Sequence, residues 1–346
     1  MRKCVGILMV CALLLSIGST AKATRTWVSG NTGNWSNTAN WSGGVLPITT
    51  ETAQINNGNA TLDTSQQVGQ LLMGDAAATD VGVLNITNGS NLTVSKASSE
   101  LFTLVKVSGA SGTVNQSAGT VSVYSPGYAG TGETRLVSAS STTGTAIYNL
   151  SGTGILDTEV LSKGNAADSS AQFNATGGTL VIRNMIYRFG LNSAGGGFNQ
   201  GQATLEIGAI NTIKAITFGN STNAMDYTVG TGGTIDFDIA SATSFDSILQ
   251  YGNYANTAGA TLQIDLLGGY TPTVGSTFDV WKFNTMSNTY NNGSGAFGVL
   301  PAGWTAAWVD TNGDTFADTL RLTYVPEPAT IALLGLGLLA MRRNKK

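Results

Sequence analysis

The chain contains no histidine, and its two cysteines, Cys4 and Cys11, both lie in an apolar run near the N-terminus. The first absence removes the side chain that most often serves as a base near neutral pH and as a transition-metal ligand. The second leaves everything beyond that run without a thiol, a disulfide or a sulfur-bound metal. Proline is scarce, with 6 residues in 346, and charged residues make up only 11% of the chain, well below the usual quarter. Such low charge suits neither a long solvated helix nor an electrostatically expanded, disordered chain. The glycines follow neither phosphate-loop nor dinucleotide spacing, and no nucleophile motif is present. What remains is 45 glycines, many Thr, Ser, Asn and Ala, and 42% hydrophobic residues. That composition has material for many short strands and few stretches suited to helices.

Two ends stand apart from this pattern. Residues 1–23 carry Arg2 and Lys3, an apolar core from Val5 to Ile17, and small residues at Ala21 and Ala23. These are the parts of a cleavable N-terminal signal helix, and they predict cutting by signal peptidase before Thr24. Residues 326–346 open with Pro326-Glu327-Pro328, continue through a largely apolar run over 329–341, and end on Arg342, Arg343, Asn344, Lys345 and Lys346. As a helix that run would reach about 20 Å, short of a hydrocarbon core of about 30 Å. Gly335 and Gly337 weaken it further. The basic stop at Arg342, Arg343, Lys345 and Lys346 favours a C-terminus held on the cytoplasmic side. The tail reads as a short C-terminal membrane helix for transient inner-membrane attachment.

This order of motif, apolar run and basic end resembles the sorting signal of the PEP-CTERM family, exported substrates of an exosortase. The resemblance implies that an exosortase-like membrane enzyme recognises Pro326, Glu327 and Pro328 and removes the tail. It also implies final residence at the cell surface or outside the cell, in an envelope that makes exopolysaccharide.

Between the ends, residues 24–325 hold 10 basic and 19 acidic residues, a net charge of −9. That balance argues against nucleic acid as a partner. The segment 24–47 brings Trp27, Trp35 and Trp41 together with turn formers. Such rings either cap the open end of a stacked-strand domain or form a sugar-stacking platform, and both readings stay open. Beyond Pro47 a phrase of strand, glycine turn and strand recurs, as in Val83–Thr87 with Leu92–Val94 and Gly112–Gln116 with Thr120–Val123. It returns near Ala171, Tyr227 and Gly259, at irregular intervals of roughly 20 to 60 residues. An all-β, irregular right-handed β-solenoid is the expected fold, with a β-sandwich as the alternative. The phrase and the Trp-rich opening also resemble exported autotransporter-like β-repeat proteins. The breaker cluster Gly195-Gly196-Gly197 places a loop over 189–201, and 270–325 reads as a closing segment in which Trp304, Trp308 and Tyr324 cover the far end.

Few residues suggest chemistry. Asp310, Asn312 and Asp314 alternate like the start of a calcium loop, but Thr315 and Arg321 stand where that motif needs Gly and Glu. Asp236 and Asp238 share one side of a strand, an arrangement compatible with calcium or with sugar chemistry. Arg183 and Arg188 are the bases a polysaccharide lyase would draw on by residue type. The reading is a non-catalytic cell-surface or extracellular-matrix structural protein that needs no cofactor. A carbohydrate-binding module using Trp27, Trp35 and Trp41, and a β-helical polysaccharide lyase or hydrolase, are the alternatives.

Overall fold

Short stretches such as Val81–Ile86 and Ser111–Gln116 form strands in which every second residue is buried. None is long enough to bury its apolar side alone. Each stacks in parallel on the strand one coil away, which makes a β-solenoid with three faces. The structure, a computed structural model, describes residues 23–325 apart from 98–99, 127–131, 139–142, 165–169, 188–196, 201, 209–210, 220–224, 226, 230, 253 and 285–291. Ala21 of the expected signal peptide, the motif Pro326-Glu327-Pro328 and the basic stop lie outside the described residues, as does most of the loop expected over 189–201.

The first face runs through Thr32–Asn34, Asn57–Thr61, Val81–Ile86, Ser111–Gln116, Thr145–Leu150, Ser170–Ala175 and Gly197–Gln200. A bridge from Gln200 to Val229 carries it on to Tyr227–Thr228, Tyr254–Asn256 and Asn292–Ser294. The second face stacks Gln66–Val68, Leu92–Ser95, Thr120–Tyr124, the first halves of Ile155–Ser162 and Thr179–Tyr187, then Thr204–Ile207, Thr234–Ser241 and Thr261–Leu266. The third begins at Thr24–Thr26 and ends at Thr277–Phe283, where the parallel order stops. There Thr319–Tyr324 pairs antiparallel with both Thr277–Phe283 and Trp304–Val309.

Parallel register across every coil replaces the β-sandwich alternative. The strand–glycine–strand phrase is a corner joining two faces of one coil. Gly119 shows why the corner needs glycine: its φ of 68° is left-handed, and a Cβ there would overlap the Ser90 carbonyl oxygen of the preceding coil. Coil length on the first face varies from 24 residues (Asn57 to Val81) to 38 (Tyr254 to Asn292). The longer intervals expected from the sequence each conceal a coil. Thr145–Leu150 with Ile155–Ser162 fills one, and Gly197–Gln200 with Thr204–Ile207 fills another.

Inside, the stack is filled by its own side chains. Ala60, Leu84, Val114, Tyr148 and Phe173 form one fully buried file along the first face. Outside the same face, the Asn115 amide donates to Asn85 (2.9 Å), Asn149 to Asn115 (2.9 Å) and Asn174 to Asn149 (3.1 Å). Buried glutamines fasten corners to the next coil. The Gln116 amide donates to the carbonyls of Gly119 (2.9 Å) and Ile155 (2.8 Å) and accepts from the Tyr148 hydroxyl (2.6 Å). Gln200 repeats the arrangement with Ala203, Thr234 and Tyr227. Gln250 accepts from the Trp281 indole at 2.9 Å. Each satisfies polar groups that burial would otherwise leave costly.

Aromatic clusters cover both ends. Trp27, Trp35 and Trp41 are buried, with Trp41 edge-on to Trp27 at 5.1 Å and to Trp35 at 4.7 Å. At the other end Trp304 packs on Tyr324 (5.3 Å) and Trp308 on Trp281 (5.6 Å).

Candidate functional site

On the strand Thr234–Ser241, Ile235, Phe237 and Ile239 enter the core, so the alternating Asp236 and Asp238 point to the opposite side. They are nevertheless 5% and 2% exposed. A cover explains this. The backbone amides of Asn211 and Thr212 donate to Asp238, and the Lys214 amide donates to Asp246 Oδ1 at 2.6 Å. Asp246 Oδ2 accepts the Asp238 amide at 2.8 Å. Stacking adds neighbours from other coils: Glu206 is in register with Asp236, and Asp265 with Asp238.

The site is thus a group of carboxyls buried together. Glu206 is pushed up to about 8, first by burial and then by the charges of Asp236, Asp238 and Asp246. Asp236 rises to about 7 through burial and then Asp265 and Asp238. Asp246 rises to about 7, chiefly through burial, and Asp238 is raised by burial and then by Asp265. Glu206 and Asp236 lie side by side in register on adjacent coils. Asp236 Oδ1 and Asp238 Oδ2 are buried without a hydrogen-bond partner. Buried carboxylates of this kind demand a proton, a cationic side chain or a metal. Among the described residues no three acids are arranged to hold a metal ion.

The other residues singled out from the sequence fall elsewhere. Arg183 grips Asp157 through two bonds of 2.5 and 2.6 Å. That hydrogen bond raises its already high pKa, which suits a fixed cation and not a proton acceptor. Arg188 lies outside the described residues. Trp27, Trp35 and Trp41 are at most 1% exposed and offer no ring face to a sugar; stacking on one another in the cap has claimed them. Of the two readings left open by their spacing, this burial fits the cap and leaves the sugar platform without an exposed ring.

Asp310, Asn312 and Asp314 do share a loop, but their oxygens accept its own amides. Asp310 takes Asn312 (3.1 Å), Gly313 (2.6 Å) and Thr315 (2.9 Å), Asn312 takes Asp314 (2.9 Å), and Asp314 takes Phe316 (2.9 Å). Those amides hold the Asp310 carboxyl below the usual carboxylate range. Glu206 and Asp246 escaped the sequence reading, because only coil-to-coil register brings them to Asp236 and Asp238.

The fold and its ends define a capped, all-β solenoid. A family model described as the PEP-CTERM protein-sorting motif matches residues 325–346, and no curated protein matches the chain. The motif marks an exported protein sorted through its C-terminus and implies processing by an exosortase-like membrane enzyme.

Proposed function

We propose that this exported chain is a non-catalytic structural protein of the cell surface or the extracellular matrix, attached to the inner membrane only in transit. The observation that supports this reading is the closed body joined to the sorting motif: coils filled by their own side chains, with aromatic clusters over both ends. A filled stack of this kind suits a spacer, with a ladder of asparagine amides along the outside of its first face. Extracellular polysaccharide is the partner this reading expects.

The test compares a strain lacking the chain with its parent. Loss of matrix cohesion, restored by re-expression, is the expected result. An unchanged matrix, together with release of sugar fragments when the purified chain meets extracted polysaccharide, would replace this reading with a lyase or hydrolase.

A further inference from the structure

Among the described residues, no ion pair reaches Glu206, Asp236, Asp238 or Asp246. Every charge that acts on Glu206 is an aspartate, and the same holds for Asp236, Asp238 and Asp246. The groups facing the cluster come from four places: Glu206 on Thr204–Ile207, Asp236 and Asp238 on Thr234–Ser241, Asp246 just before Ser247–Gln250, and Asp265 on Thr261–Leu266. The cover adds Lys214, whose side of the contact is a backbone amide and whose residue is exposed. Arg183, one coil away, is engaged by Asp157.

The cover itself is tight. Asn211 adopts a left-handed φ of 59°, and a Cβ on Gly208 would press on the Lys214 side chain at 2.5 Å. Its contacts with the stack include three backbone amides given to Asp238 and Asp246. Those amide bonds by themselves favour charged aspartates, but burial, the larger effect, opposes it, so charging the acids together forces water in beneath the cover.

We propose that Glu206, Asp236, Asp238 and Asp246 form a proton-held latch, which keeps the segment 211–214 closed over the second face in acid and releases it as the pH rises above neutral. Shared protons supply what a cation would otherwise supply: Glu206 and Asp236, in register on adjacent coils, and the unpartnered buried oxygens of Asp236 and Asp238 are uncharged only while protons are held there. The sign follows from linkage. These folded-state values lie above those of the unfolded chain, about 3.9 for Asp and 4.3 for Glu. Their contribution to stability is complete below that range and is lost as pH rises through the folded values near 7 and 8.

Thermal unfolding of the full chain from about pH 4 to about pH 9 tests this. The wild type is expected to lose about 5 °C or more in Tm across the upper half of the range. The doubly neutralised E206Q/D236N chain is expected to show a flatter profile and to melt higher than wild type at the alkaline end. Parallel profiles would overturn the latch. So would recovery of the wild-type Tm on adding calcium at the alkaline end with no response from E206Q/D236N, which would assign a cation site instead. If that variant does not fold, hydrogen exchange on the wild type decides. Amides of Asn211, Thr212 and Lys214 are expected to lose protection relative to Val114 as the pH passes neutrality, and unchanged relative protection overturns the proposal.

Discussion

Gln116 concentrates at one position what holds neighbouring coils together, since its amide joins a corner to a tyrosine one coil away. Gln116→Leu keeps the volume and strands two carbonyls and a hydroxyl in the core. A loss of about 3 kcal/mol is expected in urea denaturation, with a similar loss for Gln200→Leu. Asp279 and Arg321 make the contrasting case. They pair through two bonds of 2.6 and 3.1 Å near the surface, so Arg321→Met is expected to cost only about 0.5–1 kcal/mol. The Arg321 hydrogen bond holds the Asp279 carboxyl below its usual range. Its contribution is therefore present above the unfolded value and lost as pH falls through the folded one. This pair fails in acid and the Glu206 cluster fails in base, so the pH profile of stability reads both.

Among elements, the coil corner and the cap are where the chain tolerates least change. A Cβ at Gly112 would overlap the Leu104 carbonyl oxygen of the neighbouring third-face strand. Gly112→Ala is expected to lower Tm by about 5 °C or more, as backbone must shift to admit it. Trp35→Ala removes a fully buried ring from the N-terminal cluster and is expected to cost about 3–5 kcal/mol by chemical denaturation. These positions also mark what was legible in advance. Alternation and glycine corners announced the strands, and Trp304, Trp308 and Tyr324 announced the closing end. Coil length was not legible, because Gly197–Gln200 sits behind a glycine run and carries no alternation of its own. Nor was the fate of the tryptophans: their spacing suits a cap and a platform equally, and only burial distinguishes the two. Asp236 and Asp238 were visible as a pair, yet Glu206 joins them through register, which local spacing does not encode.

For the whole molecule, the sorting motif and the body divide the work. Glu327→Ala with Pro328→Ala is expected to leave the body folded while an unprocessed, heavier form accumulates at the inner membrane, detected by fractionation and immunoblotting. A variant that still reaches the surface at normal size would show that the motif is dispensable for sorting. The boundary between the two parts has a mechanical side. Thr319–Tyr324 lies between two antiparallel neighbours, and the matched motif starts at the very next residue, Val325. Any tether made at the C-terminus pulls along this strand, so the load falls in shear on two ladders of hydrogen bonds at once. The solenoid is gripped by a strand stitched on both sides, and drag on the body would be resisted there before any coil began to peel.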